Sequence, residues 1–270
     1  MEDWDDEQRV HRAVQPGLPK GDTAPVIVFG TGGSGTRAVA TFLSSCGIWM
    51  GRVNGSQDAL AFCGLLETHI NALIRKTHRL DYDLADIDAG RREAVMAAYR
   101  RAATLHREGM ASGARWGFKN PRHIFALPVL DNIFGNALFV HVLRDGRDML
   151  LSENRNQAKK HFVALFGRRF GQTGADMARF WAKTNLDARA FGARQLRERY
   201  VAVRIEDMCA GEPTDAVRST CEALGLEKAV VSRALGGFEP RTSFGRWRNQ
   251  PDLEVADEQF ETALRVFGYN

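Results

Sequence analysis

The sequence contains no apolar run of the roughly 18–20 residues that a membrane-spanning helix needs. Its first residues, Met1–Glu7, are acidic where an export signal would be basic. We therefore expect no signal peptide and no transmembrane segment, and predict a cytoplasmic protein. Cysteine is scarce and scattered, without a Cys-x-x-Cys pair or any other metal-ligand spacing. The sequence predicts buried thiols, rather than disulfides or a metal site, at Cys46, Cys63, Cys209 and Cys221.

Neither sign of charge dominates, since 37 basic residues stand against 33 acidic ones and the net charge is +4. The arginines are scattered among apolar positions and form no basic run with interleaved aromatic residues. We therefore expect no nucleic-acid partner. A mildly basic protein of this kind suits an anionic cofactor.

With 270 residues, of which 44% are hydrophobic, the chain can fill one α/β domain with an ordinary core. Residues 1–24 are polar and contain prolines and glycines that break helices, which predicts a flexible N-terminal lead-in. The predicted domain spans residues 25–270. It contains no internal repeat.

A glycine-rich loop between a strand and a helix is the most informative stretch. Val26–Phe29 form a short β-branched run that is typical of a buried parallel strand. Apolar residues recur at helical spacing from position 38 to 46. Positive φ angles for a tight turn are possible at Gly30, Gly32, Gly33 and Gly35. Such a loop aims backbone N–H groups and a helix dipole at one point and so binds phosphate-like anions. Ser34 and Thr36 add hydroxyl donors there, and Arg37 adds a positive charge.

The loop by itself fits more than one kind of anion site. Gly30, Gly32 and Gly35 match the dinucleotide pattern G-x-G-x-x-G, which needs an acidic residue at the end of the next strand. Asp58 lies at about the right distance, but no strand pattern precedes it. A triphosphatase P-loop would need lysine where Thr36 stands. A third interpretation depends on further motifs along the chain.

Two other strand ends carry basic residues. Leu138–Leu143 is the second buried strand, Arg144 follows it directly, and Ser152 comes eight positions later. An arginine fork and a hydroxyl together suit phosphate oxygens. The alternative is a plain turn with Asp148 as a helix N-cap, and for Asp148 itself we predict that capping role. Lys119 ends another short strand.

Strands alternate with helices along the chain, which predicts a parallel sheet with right-handed crossovers. The predicted fold is a single P-loop-like three-layer α/β domain, with helices flanking a central sheet. The loops after Phe29, Phe118, Leu143 and Ile205 then meet at one sheet edge, where such folds bind ligands. The polar segment 156–174 is predicted to be a loop or flap over this site.

Taken together, these motifs resemble the sulfotransferase family. The segment Ser34–Thr36 resembles the core of the family's 5′-phosphosulfate loop. Arg144 with Ser152 resembles its 3′-phosphate motif, and Phe244–Asn249 resembles the late loop that closes on the nucleotide. The matches follow the family's order along the chain.

The resemblance implies a bacterial-type enzyme that moves a sulfuryl group from 3′-phosphoadenosine 5′-phosphosulfate (PAPS) to an acceptor. The acceptor would be a hydroxyl or amine of a small molecule or glycan, and transfer would be in line, without a metal. The implied cofactor-binding residues are Gly32, Gly33, Ser34, Gly35, Thr36, Arg37, Arg144, Ser152, Arg246 and Arg248. Lys119 would act on the phosphosulfate. The candidates for the base are, in order, Asp58, Glu67 and His123.

Two positions depart from the family's pattern. Gly33 stands where most members have a basic side chain, and Lys119 and Arg37 are the possible substitutes. Pro121 stands where cytosolic members have a histidine base. For Asp58, helix capping is the structural alternative. The alternatives for the whole chain are a P-loop-like kinase or other phosphotransferase, or a non-catalytic nucleotide- or glycan-binding protein on the same fold.

Overall fold

The computed structural model describes residues 24–210, 215–236, 238, 242–250, 255 and 257–269. At the centre of this part of the chain is a sheet of four parallel strands in the order β2-β1-β3-β4. The strands are β1 (Val26–Gly30), β2 (Gly117–Lys119), β3 (Leu138–Leu143) and β4 (Tyr200–Arg204). The predicted parallel α/β sheet is confirmed. The lead-in predicted over residues 1–24 lies outside the described residues, apart from Ala24.

Strands β1 and β3 occupy the middle of the sheet and are buried along their whole length. Successive side chains of a strand point to opposite faces. In β1, Ile27 and Phe29 therefore enter the core on one face, whereas Val26 and Val28 enter a second core on the other. Burial on both faces explains the unbroken apolar run of β1, and the one polar residue of β3, His141, is hydrogen-bonded to Tyr200 and Asn185.

Helices cover both faces of the sheet and complete the three layers. The described helices are α1 (Thr36–Ser45), α2 (Leu60–Ile74), α3 (Ala89–His106), α4 (Leu127–Ile133), α5 (Gly146–Leu150), α6 (Asn156–Phe166), α7 (Gly174–Phe191), α8 (Ile205–Met208), α9 (Asp215–Ala223), α10 (Lys228–Leu235) and α11 (Glu258–Val266). Helices α1, α8, α9 and α10 pack on the face of Val26 and Val28. Helices α2 to α7 and α11 pack on the face of Ile27 and Phe29.

The segment 156–174 differs from the predicted loop, because its first eleven residues form α6. Ala158, Phe162 and Leu165 recur at helical spacing and are buried in the core below. The polar residues that suggested a loop, such as Lys159 and Lys160, lie on the exposed face of the helix. The segment is therefore a fixed wall of the domain along α6.

The C-terminal tail reaches the sheet edge at which the strands end. Glu206, the second residue of α8, accepts hydrogen bonds from the Asp145 backbone N–H and from the Tyr269 hydroxyl, each at 3.0 Å. These bonds join the ends of β3 and β4 to the last residues of the domain. They hold the carboxyl edge of the sheet together at the point where ligands bind in such folds.

The cysteines are thiols, as predicted. Cys209 and Cys221 are buried, whereas Cys46 and Cys63 are only half-buried. Within the described ranges, no set of three or more His, Cys, Asp or Glu side chains could hold a metal ion. No helix in the same ranges is both long and apolar enough to cross a bilayer.

Candidate active site

The glycine loop joins β1 to α1 as the sequence predicts. Gly33 and Gly35 have φ angles of +99° and +97°, in the left-handed region that glycine adopts without strain. Helix α1 begins at Thr36, so its first backbone N–H groups lie at the loop. The hydroxyls of Thr31 and Ser34 are buried and have no hydrogen-bond partner among the described residues. Because buried polar atoms usually have a partner, this loop has donors to offer a ligand.

Helix α6 holds the base of this loop through one side-chain amide. The Gln157 Oε1 atom accepts a hydrogen bond from the Gly32 N–H at 2.7 Å, and the Nε2 atom donates to the Gly30 carbonyl at 3.3 Å. The buried amide therefore pairs one donor and one acceptor of the loop backbone. Sequence reasoning missed Gln157, because it lies in the segment that was expected to be a loop. Only the apolar spacing of α6 could have revealed it.

Arg144, directly after β3, reaches back to the glycine loop. Its Nη1 atom donates to the Gly33 carbonyl at 3.4 Å, and its Nη2 atom donates to the carbonyl and hydroxyl of Ser243 at 2.6 and 3.0 Å. The Ser152 hydroxyl lies beside the same glycine, since a Cβ built on Gly33 would be 3.9 Å from its Oγ. Arg144 and Ser152 thus meet at the loop.

Asp148 does not have the predicted capping role. The N-cap of α5 is Asp145, whose side chain accepts a hydrogen bond from the first turn of the helix. Asp148 is buried, and its carboxylate accepts hydrogen bonds from the backbone N–H groups of Gly245 at 2.7 Å and Trp247 at 3.2 Å. It therefore anchors the late loop, residues 242–250, to α5.

The late loop carries the two arginines that the resemblance assigns to the nucleotide. The Arg246 Nη2 atom donates to the Asp148 carbonyl at 3.2 Å. Arg248 is exposed, and its guanidinium carbon lies 5.0 Å from the centre of the Trp247 ring. The Asp148 carboxylate is 3.7 Å from the Arg144 guanidinium, so both arginines lie in a loop that is anchored next to Arg144.

Lys119, the last residue of β2, forms a buried ion pair with Asp58. Its side chain is 3% exposed, and its Nζ atom donates to Asp58 Oδ1 at 2.6 Å and to the Ser56 carbonyl at 2.8 Å. The third N–H of the ammonium has no acceptor among the described residues. Burial lowers the pKa of Lys119, and Asp58 opposes that effect. The N-cap of α2 is Ala59, so the capping alternative for Asp58 is wrong.

Arg37 brings a second cation to this pair. It lies in the first turn of α1, is exposed, and forms no ion pair with another described residue. Burial is the main cause of the lowered pKa of Lys119, and the positive charge of Arg37 lowers it further. Lys119 is paired with Val28 of β1 in the sheet register. Two positive groups therefore lie at the edge where Gly33 has no side chain.

Glu67, the second base candidate, is engaged with other partners. Its side chain is half exposed, and its Oε1 atom accepts hydrogen bonds from Arg122 at 2.6 Å and Lys160 at 2.7 Å. The hydrogen bond from Lys160 lowers the pKa of Glu67, and Arg122 adds to this effect. A carboxylate stabilised in this way is a weaker base.

His123, the third base candidate, lies inside the aromatic core. Its ring is fully buried against Phe62, Tyr99 and Phe118. Neither ring nitrogen has a hydrogen-bond partner in the described part of the chain. Burial lowers the pKa of His123 to about 3. The structure therefore pairs Asp58 with Lys119 and encloses the His123 ring in apolar surroundings.

A family model described as the sulfotransferase family matches residues 25–229, about three quarters of the chain. The chain belongs to the sulfotransferase family. The matched stretch contains the glycine loop, Lys119, Arg144 and Ser152, and it ends before the late loop. It identifies the protein as a sulfotransferase enzyme and leaves the kinase and non-catalytic alternatives without support. No curated protein matches this sulfotransferase in sequence.

Three solved bacterial sulfotransferases have a similar structure. The sulfotransferase domain of the Synechococcus olefin synthase has a TM-score of 0.57 and 14% identity, over 95% of this chain and 99% of that one. Sulfotransferase STF1 from Mycobacterium tuberculosis has a TM-score of 0.50 and 17% identity, over 98% of this chain and 79% of that one. Sulfotransferase STF9 from Mycobacterium avium has a TM-score of 0.51 and 12% identity, over 98% of this chain and 82% of that one. At these identities the likeness shows the fold, and the predicted P-loop-like α/β domain is confirmed.

Proposed function

We propose that this sulfotransferase moves a sulfuryl group from PAPS to a hydroxyl or amine of a small-molecule or glycan acceptor. The observation that carries the proposal is the meeting of two sets of anion-binding groups at Gly33. The glycine loop supplies one set, and Arg144 with Ser152 supplies the other. A donor with a 5′-phosphosulfate and a separate 3′-phosphate needs both sets, whereas ATP has no 3′-phosphate to be bound.

The residues present fit such a donor. Backbone N–H groups at the start of α1 and the unpartnered Ser34 hydroxyl suit the 5′-phosphate. Arg144, Ser152 and the exposed Arg248 suit the 3′-phosphate, because a guanidinium binds phosphate oxygens through paired N–H donors. Arg246, also in the late loop, would bind the nucleotide near the same 3′-phosphate.

When bound, PAPS supplies a sulfuryl group that passes from the bridging phosphate oxygen to the acceptor atom, which loses a proton. Lys119 would stabilise the charge that develops on the oxygen left behind, through its N–H without an acceptor. Arg37 would add a second positive charge there, in place of the basic side chain that Gly33 lacks. Both cations act without a metal ion.

Asp58 is the group we assign as base. Its Oδ1 atom accepts the hydrogen bond from Lys119, while its Oδ2 atom has no partner among the described residues. The Asp58 side chain is partly exposed to solvent. It can therefore accept the proton of an acceptor hydroxyl bound beside Lys119. Glu67 is neutralised by two cations, and His123 is enclosed by aromatic rings, so neither is as well placed.

Calorimetric titration with 3′-phosphoadenosine 5′-phosphate (PAP) tests the donor site. We expect metal-independent binding that needs the 3′-phosphate and weakens at least about tenfold in Arg144→Ala, since a charged hydrogen bond is worth roughly 1.5–3 kcal/mol. The matched control is Arg169→Ala, an exposed arginine without an ion pair to a described residue. Equal affinity for PAP and AMP, or binding of ATP only with magnesium, would contradict the proposal.

Two further variants test the chemistry separately from binding. Lys119→Ala and Asp58→Asn should each lower sulfuryl transfer to a panel of phenols, alcohols and glycans by about a hundredfold or more. The loss of transfer in each variant should be much larger than any loss of PAP affinity, because Lys119 acts on charge that develops during transfer and Asp58 acts on the acceptor's proton. If Lys119→Ala changes neither quantity, the role assigned to Lys119 is wrong.

A further inference from the structure

Three charged side chains form an ion triad beside α2 and α6. One oxygen, Glu67 Oε1, accepts hydrogen bonds from both Arg122 Nη1 and Lys160 Nζ, at 2.6 and 2.7 Å. Glu67 belongs to α2 and Lys160 to α6, whereas Arg122 follows the end of β2. The ion triad therefore joins three separate parts of the chain.

Cys63 on α2 is close to both the ion triad and the Lys119–Asp58 pair. Cys63 is half-buried and precedes Glu67 on α2 by one helical turn. Burial raises the pKa of the Cys63 thiol, and the charges of Asp58, Arg122, Glu67 and Lys119 all act on it as well. Four charged groups are thus close to a single thiol. From the start of α2 to Glu67 the helix rises by about 10 Å.

The ion triad carries an excess positive charge, because two cations share one carboxylate. The Arg122 side chain is only 14% exposed, yet Glu67 Oε1 is its single hydrogen-bond acceptor among the described residues. A guanidinium has five N–H donors, and charged groups this far from water ordinarily find several partners. The Glu67 and Lys160 side chains are each about half exposed, and an exposed ion pair adds little to stability, so folding alone does not account for this second cation.

We infer that the ion triad recognises an anionic group on the acceptor, a carboxylate or a sulfate. The acceptor would then present its reacting hydroxyl or amine to Asp58 about 10 Å from that group, two turns of helix away. Arg122 and Lys160 supply the attraction, and Glu67 competes with the acceptor's anion for both. The inference rests on the proposed function, because it places the acceptor along α2 between the ion triad and Asp58.

Matched ligands that differ only in charge test this inference on the full chain loaded with PAP. The probes are 4′-hydroxybiphenyl-4-carboxylate with its neutral amide, and lactose 6′-sulfate with lactose, because each can span about 10 Å between a hydroxyl and the anionic group. Ligand-observed NMR titration gives each dissociation constant without any need for turnover. We expect the anionic member of each pair to bind at least about tenfold more tightly, the effect of one charge-assisted hydrogen bond.

Charge-neutralising variants then locate the preference. Arg122→Gln and Lys160→Gln should each bring the two members of a pair to within about threefold, whereas Glu67→Gln should increase the preference because the competing carboxylate is removed. The matched control is Lys159→Gln, which removes an exposed lysine next to Lys160 on α6 that forms no ion pair with another described residue. It should leave the preference unchanged. Circular dichroism confirms that each variant is folded.

Equal binding of the charged and neutral probes, including no detectable binding of either, overturns the inference. It is also overturned if Lys159→Gln loses the preference as fully as Lys160→Gln, because overall charge would then explain the effect. PAP affinity is measured on the same samples. A protein that does not bind PAP refutes the proposed function, whereas intact PAP binding without an anion preference refutes only the role of the ion triad.

Discussion

Replacing His123 by phenylalanine tests the energetics of the core and the choice of base together. His123 is fully buried among aromatic rings, and burial lowers its pKa from 6.5 to about 3. In the unfolded chain the pKa returns to about 6.5. Between these two values the unfolded chain binds a proton that the folded protein does not bind. The free energy of unfolding therefore falls as the pH falls through this window.

At pH 5 the loss due to His123 is about 2 kcal/mol, because that pH lies about 1.5 units below the unfolded pKa and each unit is worth about 1.4 kcal/mol. His123→Phe removes the ionisable group and hence this loss. The larger ring changes the packing equally at both pH values, so its packing cost cancels in the comparison.

Urea unfolding of the wild type and His123→Phe at pH 7.5 and pH 5 measures the effect. We expect the difference in unfolding free energy between the two pH values to be about 2 kcal/mol smaller in the variant. Both the wild type and the variant should still lose stability in acid, because burial also lowers the pKa values of His141 and His161, to about 4 and about 3.

An unchanged pH difference in His123→Phe would refute this account of the core. Sulfuryl transfer at pH 7.5 is the second measurement on the same variant. We expect it to be retained, because the His123 ring is fully buried and bonds neither Lys119 nor Asp58 in the described part of the chain. Loss of transfer in a variant that remains folded would make His123 the base after all.

Three other substitutions have defined outcomes. Gln157→Leu should weaken PAP binding measurably by calorimetry, because the glycine-loop backbone loses hydrogen bonds worth about 1–3 kcal/mol when its groups are left unpaired. Gly35→Ala should lower the free energy of urea unfolding by at least about 2 kcal/mol, since the new Cβ would lie 2.5 Å from Ile205 Cγ1 at a φ of +97°. Adding Ile205→Ala should recover only the cost of the clash, because the backbone strain at the positive φ remains. Asp148→Asn should speed proteolysis of the late loop, because an amide keeps only one oxygen acceptor for two backbone N–H groups.

The glycine loop is predictable from the sequence because its determinants are local. The positive φ angles at Gly33 and Gly35, and the start of α1 at Thr36, depend on residues only a few positions apart. Arg144 and Ser152 require one further step, namely that parallel strands end at the same sheet edge. The roles assigned to these residues remain predictions, but their proximity follows from the pattern of strands.

Gln157, Asp148 and His123 show what local patterns do not contain. Gln157 bonds Gly32 across 125 positions, and Asp148 bonds Gly245 across 97 positions. Such pairings depend on how the helices pack, and no spacing rule specifies them. His123 follows Lys119 closely in the sequence. However, the 3₁₀ turn Pro121–Phe125 between them directs the imidazole into the core.

The strand order has a consequence for how the protein is made. Strand β1 pairs only with β2 and β3 in the described sheet, and these follow it by about 90 and about 110 residues. At roughly 5–20 residues per second, β1 leaves the ribosome on the order of 5–20 seconds before its first partner is synthesised. During that interval a strand that is apolar at every position lacks its sheet. The segment that positions the phosphate-binding loop therefore stays without its sheet partners until β2 and β3 have been synthesised.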